Sequence, residues 1–174
     1  AKAIKIVNGQ AEVIKDRCIA CGNCIKVCSQ GAKVYLDTKG AVYQMLEEQE
    51  RKNVAIVAPS FPAEFSEFED HRIFVGMIRS LGFDVVSEVS FGADLVAKKY
   101  NELIRQNGEQ RYISSDCPAS ASYIERYHPG LVENLAPIAS PMVAMSRVMK
   151  KKYGANINLV FIGPRPETIE RIGD

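Results

Sequence analysis

Histidine is nearly absent, with 2 among 174 residues, and no run of about 18 or more apolar residues occurs. The second absence argues against a membrane-spanning helix. Charge of one sign is lacking too: 22 Lys and Arg are interleaved with 21 Asp and Glu, for a net charge of +1. Without a basic face, neither nucleic acid nor an anionic surface is an expected partner. The one basic run, Lys150-Lys151-Lys152, stands where a helix C-terminus favours cations. His71 lies among charges and His128 precedes Pro129, so both are expected at the surface or at helix ends rather than as ligands. No apolar signal segment is visible and the cysteine count, 5, is odd. Both features argue against the disulfide framework of a secreted domain and favour a reducing, cytoplasmic compartment.

Four of those cysteines stand together in Cys18-Ile19-Ala20-Cys21-Gly22-Asn23-Cys24-Ile25-Lys26-Val27-Cys28, spaced C-x2-C-x2-C-x3-C. This resembles the run with which bacterial-type ferredoxins hold cubane iron–sulfur clusters, and a 4Fe–4S site is the expectation here, since thiolates suit soft iron and the short spacings turn backbone N–H groups toward sulfur. A zinc site is the competing reading. Zinc knuckles pair two separate C-x2-C units across a longer loop, whereas this run is continuous.

Around the thiols, Ala3-Ile4-Lys5-Ile6-Val7, Asn8-Gly9 and Ala11-Glu12-Val13-Ile14 read as a β-hairpin. Ser29 to Tyr35 reads as the turn and strand that close the cysteine loop. Residues 1–39 are therefore expected to form one small iron–sulfur unit. A linker of helix-forming composition, 40–52, follows.

From Asn53 the pattern changes to short β-branched runs alternating with helical stretches. The expected strands are Asn53–Ala58, Phe83–Val89, Arg111–Ser114 and Ile157–Ile162. Expected helices span Pro62 to Ser80, Gly92 to Gln106 and Pro141 to Lys152, the last with Ser140 as cap and Met142, Met145 and Met149 as core. Phe61, Phe65 and Phe68 read as packing residues. Such alternation predicts a parallel sheet with helices on both faces and ligands beyond the strand C-termini. That rule places Cys117, followed by Pro118 and a helix start, in the presumed site. Unpaired N–H groups at a helix start favour a thiolate, suited to metal binding.

The cysteine run resembles the second half of a two-cluster bacterial ferredoxin. In that family the fourth cysteine of each motif serves the other cluster. The resemblance thus assigns Cys18, Cys21 and Cys24 to one cubane and Cys28 to a neighbour. Ser29 stands where the family usually has proline.

Ala58-Pro59-Ser60, Ser114-Ser115-Asp116-Cys117-Pro118, Ala139-Ser140-Pro141-Met142 and Phe161-Ile162-Gly163-Pro164 follow the order seen in the catalytic domain of the iron-iron hydrogenase large subunit. The resemblance implies an α+β ferredoxin-like iron–sulfur unit followed by an α/β, doubly wound parallel-sheet subdomain over 53–164. It also implies an H-cluster, a cubane bridged by cysteine to a two-iron site. Cys117 matches a cubane ligand, Asp116 the proton-relay position, and Pro59, Ser60, Ser115, Pro118, Pro141, Met142, Gly163 and Pro164 the surrounding motifs.

Asp116 replaces the family's relay thiol, and carboxyl groups ionise about 4 to 5 pH units below thiols. This departure resembles sensory or regulatory relatives more than fast hydrogen producers. Gly163-Pro164 is followed by Arg165-Pro166-Glu167, without the cysteine and lysine pair of the family's second motif. Residues 165–174 resemble the opening helix of a PAS sensor domain, or a junction across a gap.

Two functions are expected from these readings. One is a hydrogenase-like enzyme or sensor that passes electrons between 4Fe–4S clusters and an H-cluster, with hydrogen, protons and a redox protein such as a ferredoxin or another hydrogenase subunit as partners. The alternative is a ferredoxin-type electron carrier or docking module without hydrogenase activity.

Overall fold

The computed structural model describes residues 2–48, 50–65, 70–106 and 108–163. Phe68, Pro164 and the segment 165–174 lie outside them. Two compact units form: residues 1–34 with 102–138, and residues 35–101 with 139–174. The division differs from the linear one expected from sequence, which assigned 102–138 to the sheet subdomain.

In the first unit, β1 (Ile4–Val7) and β2 (Gln10–Val13) pair antiparallel. Asn8 and Gly9 join them with φ of 52° and 79°, the two positive values that a tight hairpin turn requires. Lys5 and Glu12 sit opposite each other and form a 3.3 Å ion pair, an exposed contact that supports register more than stability. A 3-10 turn over Lys15–Arg17 leads into the cysteine loop, within which lies α1 (Asn23–Lys26). The expected closing strand after Ser29 is not formed; residues 31–37 carry no regular structure. Val34 there is 84% exposed, so no apolar partner holds it in a sheet.

In the second unit, α2 (Lys39–Glu47) precedes β3 (Lys52–Val57). The segment read as a linker is thus mostly helix, and its Val42 and Leu46 pack into a core cluster with Phe74, Ile78 and Phe83. β4 (Val85–Glu88) and β5 (Ile157–Ile162) flank β3, both parallel to it, giving the order β4-β3-β5. Alternate residues of β3 face opposite sides of the sheet. Val54 and Ile56 pack with Met145 and Met149 of α7 (Pro141–Tyr153). Ala55 and Val57 pack with Phe74 and Ile78 of α4 (His71–Ser80). Helices therefore cover both faces, and a fully buried side chain such as Ile56 contributes about 1.5–3 kcal/mol.

The single helix expected over Pro62–Ser80 is divided into α3 (Phe61–Glu64) and α4, which Asp70 caps by accepting a 2.9 Å hydrogen bond from the Arg72 N–H. Phe61 stacks on Phe74 at 4.7 Å and Phe65 lies 4.8 Å from the same ring, as packing residues should. The Ser140 hydroxyl caps α7 by accepting from the Val143 N–H. Between β4 and α7 in sequence come α5 (Ser90–Gln106) and α6 (Pro118–Tyr127), the latter followed by a 3-10 turn over Pro129–Asn134.

The fourth expected strand, Arg111–Ser114, is absent from the sheet. Ile113 makes only an isolated parallel bridge to Leu135, its N–H donating to Asn134 O at 2.7 Å and its carbonyl accepting from Ala136 N at 2.9 Å. Those bonds satisfy its backbone within the first unit.

Candidate iron–sulfur centre

The cysteine loop is shaped by two left-handed residues. Gly22, at φ 71°, forms the N-cap of α1, which carries Cys24. Ala20, at φ 55°, is the unusual one, because a left-handed L-residue with a Cβ costs on the order of 1–2 kcal/mol. Its N–H in that conformation donates to the Cys18 sulfur at 3.4 Å. Cys28 follows α1, and the N–H of Ala32 facing its sulfur is the largest cause holding its thiol below the ordinary thiol value. Slight burial opposes this, while the N–H groups of Gln30 and Gly31 and the nearby Lys33 charge add to it.

None of the five cysteines is in a disulfide. Among the described residues, no three His, Cys, Asp or Glu side chains gather closely enough for a metal ion. The donor chemistry nevertheless fits a 4Fe–4S cluster: an unbroken run of four thiols, with backbone N–H groups turned to two of the sulfurs.

Three hydrogen bonds to this loop have no local signal in sequence. Arg126, near the end of α6, donates one guanidinium nitrogen to the carbonyls of Lys15, at 2.7 Å, and of Cys18. The Tyr127 hydroxyl donates to the Arg17 carbonyl at 2.7 Å. These residues lie 108 to 111 positions from their partners, so no spacing pattern relates them.

Cys117 is the N-cap of that same helix, with Pro118 in its first turn. The Ser115 hydroxyl contacts the carbonyls of Ala136 and Ile138, at 2.8 and 2.9 Å, and fixes the entry to α6. The Ser114 hydroxyl donates to the Asp116 carboxylate at 3.0 Å. His128 is the C-cap of α6 and its ring meets the Tyr123 hydroxyl at 3.2 Å; His71 opens α4. Neither joins a ligand cluster.

The other expected site residues fall in the sheet unit. Pro59 and Ser60 follow β3, and Gly163 follows β5. The Ala58 N–H donates to Ile162 O at 2.8 Å, which brings these two tips together. Pro141 and Met142 begin α7, where the Pro141 carbonyl lies against Gly92 at the start of α5. The sheet therefore gathers Pro59, Ser60 and Gly163 at one edge. Ser115, Asp116, Cys117 and Pro118 belong to the other compact unit. The expectation that a fourth strand carries Cys117 to the sheet edge is corrected by the absence of that strand.

The family described as iron only hydrogenase large subunit, C-terminal domain, matches residues 51–164. The chain belongs to that family. A 4Fe-4S binding domain matches residues 11–34, around the cysteine run. Relatives of this hydrogenase-family chain include iron hydrogenase 1 of Clostridium pasteurianum, 29% identical over 64% of the chain and 21% of the relative. A probable cytosolic Fe-S cluster assembly factor of Drosophila ananassae is 24% identical over 85% of the chain and 36% of its own length. The NADP-reducing hydrogenase subunit HndD of Solidesulfovibrio fructosivorans is 24% identical over 78% and 26%. The chain thus spans between about a fifth and a little over a third of these relatives. It is an iron–sulfur protein of the hydrogenase-like family, and no helix among its described residues is long and apolar enough to cross a membrane.

Proposed function

We propose that this chain is an iron–sulfur redox module that receives, passes or docks electrons through 4Fe–4S chemistry and does not turn over hydrogen. The observation that carries the reading is the loop Cys18–Cys28, within the stretch that a 4Fe-4S binding domain matches, which offers four thiols with N–H groups aimed at two of the sulfurs. Likeness to relatives named cytosolic Fe-S cluster assembly factors, over up to 86% of the chain, supports the same side. When bound, the cluster would supply one-electron transfer. Cys18, Cys21 and Cys24 would hold it, and under the ferredoxin pattern Cys28 would serve a neighbouring cluster. The turned N–H groups of Ala20 and Ala32 would stabilise sulfur charge. Reduced thiols call for a reducing compartment such as the cytoplasm, and a redox protein is the partner.

A second reading rests on Cys117 at the N-cap of α6. There Cys117 ligates the H-cluster cubane, with Asp116 at the relay position, and the carboxylate suits sensing of hydrogen or redox state better than fast turnover. The test is anaerobic production in a hydrogenase-forming host, followed by iron and sulfide counts, electron paramagnetic resonance and infrared spectroscopy. The proposal expects cubane signals, no carbonyl or cyanide bands and no hydrogen evolution from reduced dye. Carbonyl and cyanide bands with hydrogen turnover would overturn it in favour of the second reading.

A further inference from the structure

We propose that Arg126 is a positioning residue for the cysteine loop and that its cation raises the reduction potential of the cluster held there. The inference rests on the reading of Cys18–Cys28 as a 4Fe–4S site and adds a determinant from a distant part of the chain.

The geometry is specific. One guanidinium nitrogen of Arg126 reaches the carbonyls of Lys15 and Cys18, and the neighbouring Tyr127 hydroxyl takes the Arg17 carbonyl between them. Three carbonyls of the turn that delivers the first thiol are thus fastened to one helix. A guanidinium suits this role because its rigid donors hold a fixed geometry and its charge is permanent. The loop's own cations, Lys15, Arg17 and Lys26, and the acid Asp16 have exposed side chains, as does Arg126, and Lys33 lies near the Cys28 sulfur. Arg126 differs in coming from another element and in being tied to the backbone of a ligand residue, Cys18.

Uptake of one electron from an external reductant adds one negative charge at the loop, with no bond made or broken. A cation held by the Cys18 carbonyl stabilises that charge, and net charge and hydrogen bonding near the sulfurs set such potentials. The clamp also lies on the helix that Cys117 caps, nine residues away, or roughly 13–14 Å along the axis. A single helix therefore carries the fifth thiol and the fastening of the turn that delivers the first.

The test is a redox titration, followed by paramagnetic resonance, of the anaerobically reconstituted chain and its variants, with dithionite as reductant and iron counted in each sample. Arg126→Gln is expected to lower the midpoint potential by an amount equal to about a tenfold loss in the reduction equilibrium, 59 mV for one electron. Arg126→Lys, which keeps the charge, should restore at least half of that. Glu125→Gln alters the adjacent residue's charge without touching the loop and should move the potential far less. Iron loss in Arg126→Gln with retention in Arg126→Lys also supports the clamp. An unchanged potential in Arg126→Gln overturns the proposal, as do equal falls in the Gln and Lys variants or an equal and opposite shift in Glu125→Gln. Failure of the unaltered chain to take up iron would instead sink the underlying cluster reading.

Discussion

Asn158 donates its side-chain N–H to the Asn53 side-chain Oδ1 at 2.9 Å, between residues paired across the parallel strands β5 and β3 and exposed by only 2% and 6%. The same Asn158 amide also donates to Met45 O at 2.9 Å, and the Asn53 amide reaches Leu46 O and Gly82 O at 3.5 and 3.4 Å. The pair adds side-chain donors to carbonyls in the last turn of α2, where Met45 O also accepts from the Glu48 N–H at 3.3 Å. It fastens that helix to the edge of the sheet where the strands begin.

Replacement of Asn158 by Ala should therefore take the donor from the buried Asn53 Oδ1, while Met45 O keeps the Glu48 N–H. We expect a loss of about 1–3 kcal/mol in urea unfolding, the usual cost of a buried group left without its partner. A loss below a few tenths would mean that water replaces the amide.

Gly92 is a site of close backbone approach. A Cβ there would lie 2.3 Å from the Pro141 carbonyl oxygen and 3.0 Å from Met145 Cβ. Gly92→Ala should force α5 and α7 apart and destabilise the fold by about 1–3 kcal/mol, the range for overpacking. Gly76 has nothing within 4 Å of its added Cβ, so Gly76→Ala on α4 is the control and should be neutral or mildly stabilising by thermal melting.

Ala20 holds a strained left-handed conformation between two thiols. Ala20→Gly should relieve that strain and leave iron uptake intact. Ala20→Val, β-branched and poorly suited to positive φ, should turn the N–H away from the Cys18 sulfur and reduce the iron bound after reconstitution. Equal iron content in the two variants would show that this N–H is dispensable.

Asp70 caps α4, and the Arg72 side chain and N–H, helped by the His71 charge, hold its carboxyl below the usual value. A lowered folded-state pKa gives stability that is present above the unfolded value, about 3.9, and lost as pH falls through the folded one. Asp70→Ala should lower the melting temperature by about 2–4 °C at pH 7. The gap should narrow as pH falls below the ordinary carboxyl value, about 3.9. A gap that does not change with pH would assign the effect to helix geometry alone.

Much of the local structure was legible because it is set by neighbouring residues. Cysteine spacing, the Asn8-Gly9 turn and the caps Ser140 and Asp70 act within a few residues of their partners. The three strands of the sheet were legible for a similar reason: strands buried on both faces read as continuous apolar runs, as in Val54–Val57. Arg111–Ser114 was misread because Ile113 and its polar neighbours resemble a short strand, and only its bonds to Asn134 and Ala136 reveal another use.

By itself, the sequence determined the metal chemistry and the alternation of strand and helix, since thiol spacing and apolar period are properties of neighbouring residues. Tertiary structure alone decided that residues 102–138 group with the iron–sulfur segment and that α2 completes a core. It also decided that Arg126 and Tyr127 grasp a loop 108 to 111 residues away. Contacts of that span depend on how the whole chain closes, and a guanidinium or phenol group bonds any carbonyl within reach, so neither leaves a mark in the local pattern.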